Sequence, residues 1–426
     1  MNSGRRAFLA AVGSVALGGC IGRGDDATPA ETSDDPTATD ETGPPTDRTA
    51  TDGTVTGTTP GGDRSTSTDT RQNPTETESP DEHTATDDEP TATETPALGE
   101  TTVGFAGDTM VGRSLNSIYG DEDVDPASIW SDDLQARLQS LDGVCCNLEC
   151  CLSTRGERFP DRAFYFRGDP AWAVPALGAG NVQYASLANN HAMDFGAVAL
   201  MDTIDALDED GIENAGTGET PSAAWVPATF TIGDLDVAVV SFSDEYEFYA
   251  ATGDRPGIAW ARSDPENERT QRLVGDAIER AKATDPDLLV VSVHWGENWV
   301  ERPGDRLVSF GHWLVDQGAD LVHGHSAHCV QAVEQYGGGV VLHDTGDLVD
   351  DFGIKDDLGN DKSYVFEVTL DGTGLDRIRL TPIHIDDGAR LATEKEATWL
   401  RETMRDRSEP FETTYERDGD GLVVDL

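Results

Sequence analysis

Asn190 and His191 stand side by side in the stretch Ser186-Leu187-Ala188-Asn189-Asn190-His191-Ala192-Met193-Asp194-Phe195-Gly196. An amide next to an imidazole offers a neutral oxygen ligand beside a group that titrates near neutrality. The same pairing also suits an Asn-rich turn with an incidental histidine. Four other places change the balance: Asp108, the trio Asn147-Leu148-Glu149, His294, and His325 with His328, each following a short apolar run. Six of the nine histidines fall between residues 287 and 343, far from an even scatter. Carboxylates and imidazoles delivered by separate strand ends are the donor set that borderline divalent ions such as zinc, manganese or iron require. One histidine alone reads as structural, but donors at successive strand ends read together as a metal site.

The elements that must hold these groups follow from periodicity. Residues 101–106 alternate and are rich in β-branching, as a strand requires, and they run into Gly107-Asp108. Residues 143–148 and 182–187 read as two further strands, the second ending at the Asn-rich stretch. A helix is expected over 129–141, another over 170–177 and a third over 195–207. Residues 227–232 and 236–242, joined through Gly233-Asp234, read as a hairpin. A helix over 265–283, with Asp264 as its capping acid, leads to the strongly apolar strand 287–293 that delivers His294. The helix 306–317 and the strand 320–322 then deliver His323-Gly324-His325. Strands at 340–342, 363–370 and 378–383 complete a pattern of alternating strands and helices with hairpins mixed in. That pattern indicates an α/β or α+β domain with mixed sheets.

The chain has 426 residues, with 81 acidic against 30 basic and a formal charge of −51. Only Lys282, Lys355, Lys362 and Lys395 are lysines. Such an excess of negative charge excludes nucleic acid as a partner, because phosphate would be repelled. An acid-rich, lysine-poor surface is the composition of proteins kept soluble in concentrated salt. Residues 1–20 read as an address: Arg5-Arg6-Ala7-Phe8-Leu9 is a twin-arginine pattern. The apolar run behind it is too short to span a bilayer, and it ends at Leu17-Gly18-Gly19-Cys20. The last four residues resemble a lipobox, which implies lipid on Cys20 and a place on the outer face of the cell membrane. Residues 21–98 are Thr, Asp, Glu, Pro, Ser and Gly with few large apolar side chains, the composition of a disordered stalk. The folded domain is expected over 99–388, followed by a helical and acidic tail over 389–426.

Gly107-Asp108-Thr109-Met110-Val111-Gly112-Arg113, Asn147-Leu148-Glu149, the 186–196 stretch, Val293-His294-Trp295-Gly296, His323-Gly324-His325-Ser326-Ala327-His328 and Gly346-Asp347-Leu348 form an ordered set. Together they resemble the CapA family of capsule or poly-γ-glutamate synthesis proteins, part of the calcineurin-like metallophosphoesterase superfamily. The resemblance covers nearly all of residues 101–385. It implies a sandwich of two mixed β-sheets flanked by helices, with one or two divalent ions (Mn, Zn or Fe) at the strand ends. On that pattern Asp108 is the first metal ligand and Glu149 a carboxylate bridging two ions. Asn190 is an amide ligand, and His294, His325 and His328 are imidazole ligands. His191 resembles the general acid, and Arg113 a clamp for an anionic substrate group. Two departures stand out. Met110 occupies the place where the superfamily supplies a histidine, and the last two histidines are spaced one residue wider than its norm, as in CapA.

The implied function is that of an exported, lipid-anchored protein of capsule or poly-γ-glutamate biosynthesis with a metal-dependent hydrolase site. Its partners would be the anionic polymer or the machinery that makes and exports it. A non-catalytic scaffold or tether for that polymer, and a surface phosphatase or nucleotidase, are the alternatives. Cys145, Cys146, Cys150 and Cys151 flank the trio around Glu149, and Cys329 follows His328. Disulfides bracketing Glu149 and free thiols packed as small apolar side chains are equally open readings.

Overall fold

The computed structural model describes residues 99–426 apart from Phe352, Asp356 and Thr373. The twin-arginine signal, Cys20 and the stalk over 21–98 lie outside the described residues. Among those described, no helix is long and apolar enough to cross a membrane.

Two mixed sheets stack face to face with helices on both outer sides, the arrangement the resemblance implies. In the first sheet the strand Thr101–Thr109 runs parallel to Gly143–Leu148, which runs parallel to Val182–Ser186 and then Glu213–Ala215. On its other side it pairs antiparallel with Lys362–Asp371, followed by Gly374–Ile385 and Gly421–Asp425. The second sheet has a parallel centre of Leu235–Ser243, Leu288–His294, Leu321–His325 and Gly339–Leu342. Antiparallel strands Ala228–Ile232 and Val333–Tyr336 close its two edges.

Side-chain alternation sets the layers, because successive strand residues face opposite sides of a sheet. Val103, Phe105, Cys145, Val237, Val239, Leu288 and Val290 meet between the sheets. Their neighbours Val144 and Cys146 face the helices Asp132–Gln139, Pro170–Ala179 and Gly196–Asp210. Ala238, Val240, Leu289, Val291 and Val293 face Glu268–Lys282 and Asp305–Asp316. The adjacent pair Cys145-Cys146 is therefore split between two apolar clusters. All five cysteines after Cys20 are buried free thiols. Burial pushes the thiols of Cys146, Cys151 and Cys329 up to about 12, with lesser contributions from neighbouring side chains, so they pack as small apolar groups.

Two local expectations change. The cap of Glu268–Lys282 is Asn267, whose side chain accepts from Thr270 N at 3.0 Å. Asp264 instead accepts from Glu266 N and turns the preceding loop. The helix expected over 129–141 is two pieces, a 3-10 turn Pro126–Ile129 and Asp132–Gln139, which starts at the Ser131 cap. Residues after 388 join the fold directly. Ala389–Leu391 pairs with Gly374–Ile385, and Glu394–Ser408 buries Ala397, Leu400 and Met404 against the apolar layer between the sheets.

Candidate metal centre

The parallel strands of both sheets end at one place. Register puts Asp108 opposite Asn147 and Asp347 in the first sheet, and His294 opposite His325 in the second. Gly107 makes this possible: a Cβ there would lie 1.8 Å from the Gly346 carbonyl oxygen, so a side chain would push away the segment carrying Asp347.

Asp108 is fully buried and sits at the focus. His294 Nδ1 and His325 Nδ1 lie 4.0 and 3.7 Å from its Oδ1, and His328 Nδ1 lies 3.3 Å from its Oδ2. Two sets of ligand atoms result, Asp108 with His294 and His325, and Asp108 with Glu149 and His328; within each set the atoms lie within 4.8 Å of one another. Asp108 belongs to both sets and Glu149 to the second. Glu149 Oε1 reaches toward His294 Nε2 at 3.9 Å and His191 Nε2 at 3.8 Å. The side chain of Met110 lies in the apolar cluster beneath the first sheet. His328 is what completes the second set.

His328 reaches its place through strained backbone: Ser326 has φ 119° and His328 φ 53°, conformations uncommon outside glycine. Asp344 holds this turn, accepting from Ala327 N at 2.7 Å and Gly346 N at 2.8 Å. Asp347 Oδ1 lies 2.9 Å from His328 Nδ1. His323 is occupied on both nitrogens, by Ser292 Oγ at 3.2 Å and the Ala106 carbonyl at 3.0 Å, and so is structural. Ser292 Oγ also meets His325 Nε2 at 3.1 Å, which leaves His325 Nδ1 turned toward Asp108.

Electrostatics divides the imidazoles. Burial drives His294 down to about 3 and His325 well below its ordinary value, so both are neutral and keep a lone pair for a cation. Burial acts the same way on His328, but Asp347, Glu149 and Asp108 outweigh it and raise His328 well above its ordinary value. Burial also works against the Asp108 carboxylate, yet the surrounding His328, His294 and His325 keep it below the usual range. Glu149 is pushed well above that range by burial and by Asp108.

The donors fit a divalent ion. Both oxygens of Glu149, His294 Nε2, Asn190 Oδ1 and Asp347 Oδ2 are buried without a hydrogen bond to any described residue. Leaving so many acceptors unpaired costs about 1–3 kcal/mol each, more for charged groups, and a shared cation offsets that penalty. Carboxylate, amide and imidazole together suit manganese, iron or zinc.

His191 hangs at the edge of this cluster. Its Nδ1 lies 2.6 Å from Asp194 Oδ2, which also accepts from Phe166 N at 2.7 Å, and its Nε2 points toward Glu149. Asn189 ties the turn to the first sheet by donating to Asn147 Oδ1 and the Leu148 carbonyl. Burial lowers His191 more than Asp194 raises it. Arg113 does not join the buried cluster. Its guanidinium pairs with Asp351 at 3.4 Å and lies 5.0 Å from the Phe166 ring centre, and Phe166 in turn packs edge-on to His191. The cation that does reach the His191 turn is Arg162, whose Nη2 donates to the Asn190 carbonyl at 2.7 Å. Nothing in its sequence neighbourhood marked it. Asp194 had a signal, its place three residues after His191.

A probable polyglutamine synthesis accessory protein of Mycobacterium tuberculosis is 35% identical over 302 residues, covering 66% of this chain and 77% of that one. The PGA biosynthesis protein CapA of Bacillus subtilis is 25% identical over 326 residues, covering 76% and 81%. A solved structure of a hypothetical protein from Thermus thermophilus covers 69% of this chain and 96% of its own at 16% identity. Its TM-score of 0.37 is too low to carry an argument. Residues 102–352 match the family described as bacterial capsule synthesis protein PGA_cap, a span that begins at the strand leading to Asp108 and includes every donor named above. With more than half of its length inside that match, the chain belongs to the PGA_cap family of capsule synthesis proteins.

Proposed function

We propose that this protein is a metal-dependent hydrolase of capsule or polyglutamate biosynthesis, phosphoesterase-like in its chemistry. We further infer that it acts at the outer face of the cell membrane through lipid on Cys20. The observation that carries the hydrolase reading is the pair of donor sets sharing Asp108, with buried acceptors around them that no described residue satisfies. The surface reading is supported by the twin-arginine pattern and the lipobox-like Leu17-Gly18-Gly19-Cys20.

Asp108, Glu149, Asn190, His294, His325 and His328 would hold one or two ions. When bound, such ions lower the pKa of water and neutralise charge that develops on substrate oxygens. His191 supplies the proton at the leaving oxygen. Asp194 accepts from its Nδ1–H, so it is in the imidazolium form that Nε2, the atom facing Glu149, would carry the proton to be transferred. The polymer, or the machinery that makes it, is the partner the family points to.

The test is metal analysis of the full chain purified in high salt, then manganese- or zinc-dependent hydrolysis of phosphodiesters and of poly-γ-glutamate. His191→Ala should keep its metal and lose about 10²–10⁴ in rate. Wild-type protein that holds no stoichiometric metal would instead favour a non-catalytic scaffold. Cys20→Ala should release the protein from the membrane fraction.

A further inference from the structure

The helix Glu394–Ser408 lies beyond residues 102–352, where the chain matches its family, yet its last turn touches the segment that carries His328. Arg407 makes the contact. It is only 3% exposed, and its guanidinium is divided between two places. Nη1 donates to the carbonyl of Val330, just past His328 in the same turn, and Nη2 donates to Glu301 Oε1 at 2.9 Å.

The two acceptors belong to segments that lean on each other. Trp299 N donates to the Ala327 carbonyl at 2.8 Å, and Gln331 Nε2 to the Val300 carbonyl at 2.7 Å. The Trp299 and His328 ring centres are 6.3 Å apart. Trp299 at φ 63°, Ser326 at φ 119° and His328 at φ 53° all hold backbone conformations that a side chain disfavours. Such strain costs about 1–3 kcal/mol per residue and persists only where the surroundings over-determine it. Arg407 comes from outside both segments and reaches both. A guanidinium suits that task, because its planar fork serves two acceptors at once, whereas an ammonium is a single point charge. Arg401 gives the contrast within the same helix. It is 5% exposed, but its bonds go to the Asp420 carbonyl, Glu394 and Thr398, away from the His328 turn.

Of the two donor sets, the one with Glu149 depends on His328. The other takes its histidines from paired strand ends, His294 and His325. We propose that Arg407 is a positioning residue: by tying Val330 to Glu301 it holds the turn that presents His328 to Asp108 and Glu149. It governs the second donor set and leaves the first alone. The metal reading under the proposed function gives this clamp its purpose, but the rigidity of the turn can be measured without metal.

The test compares Arg407→Lys with Arg401→Lys in the full chain, by hydrogen exchange of metal-stripped protein and by calorimetry with manganese. Arg407→Lys should speed exchange at residues 299–301 and 326–331 about tenfold, the worth of one net hydrogen bond in a local opening equilibrium. The strands Leu288–His294 and Leu321–His325 should keep their protection. One manganese-binding event should weaken about tenfold and the other stay as it was. Arg401→Lys should do neither. If Arg407→Lys does not fold, Glu301→Gln carries the test, since that side chain is 55% exposed and should give the same pattern more weakly. If the wild-type chain takes a single ion, the exchange comparison decides. An unchanged turn, equal weakening of both binding events, or the same effect from Arg401→Lys makes Arg407 a general support of its helix and overturns the proposal. A wild-type chain that binds no manganese, but whose turn loosens in Arg407→Lys, would sink the metal reading and leave the clamp standing. Tight manganese binding with an unchanged turn does the opposite.

Discussion

Ser292 shows how far a single side chain outside the metal-binding motifs controls the site. Its hydroxyl meets His325 Nε2 and His323 Nδ1 at once, so it fixes which His325 nitrogen faces Asp108. Groups that orient a ligand in this way typically contribute 10–100-fold to metal affinity. Ser292→Ala should therefore weaken manganese or zinc binding by about that factor in calorimetry while the far-UV spectrum stays unchanged; unaltered affinity would remove Ser292 from the argument. At this scale the sequence was legible for the groups that motifs carry. Asp108, Glu149, Asn190, His294, His325 and His328 all lie at converging strand ends or in the turns that follow them. It was silent on Ser292 and Arg162, because their roles arise from contacts across 33 and 28 residues. Arg113 illustrates a related point. A motif gives an arginine its place in the chain but not its partner, and here the partner is Asp351.

Strands were easier to read than the ends of helices, since a buried parallel strand is a continuous apolar run while a helix boundary depends on which polar residue wins the cap. Asn267 displaced Asp264 for that reason. The last helix gives the element scale a quantitative test. The Glu396 carboxylate accepts from Thr393 N at 2.7 Å and Thr393 Oγ1 at 2.8 Å, and Arg390 pairs with it at 2.8 Å. The Arg390 hydrogen bond, partly opposed by burial and reinforced by Thr393, brings Glu396 down to about 2. A carboxyl whose folded value is depressed contributes stability above its unfolded value of about 4.3, and loses it as pH falls through the folded value. Glu396→Gln should cost about 1 kcal/mol at pH 7, in line with capping losses, and the deficit should shrink between about pH 4 and pH 2. Chemical denaturation of both proteins at pH 7 and pH 3 measures it. An equal deficit at both pH values would mean that Glu396 acts by shape alone.

Charge governs the whole molecule, and it conflicts with an anionic partner unless salt intervenes. A formal charge of −51 repels itself and repels a polymer of glutamate alike. At 0.1 M salt the screening length is about 10 Å, enough for neighbouring carboxylates to feel one another, while at 1 M it falls to about 3 Å. Two consequences share one sign. The melting temperature should climb as sodium chloride is raised from 0.1 to 2 M, and affinity for poly-γ-glutamate should climb with it. The second is the sharper test. A basic protein releases counterions from a polyanion and loses affinity as salt rises, so log K falls against log salt. Here the slope should be positive, because salt removes repulsion and a chain with 30 basic against 81 acidic residues offers little cationic charge to be screened. Sedimentation of the full chain with the polymer across that salt range, repeated in sucrose to separate screening from solvent exclusion, gives the slope directly. A negative slope would reveal a cationic binding face that the composition conceals, and would move the search for the polymer's contact to the arginines around the metal centre.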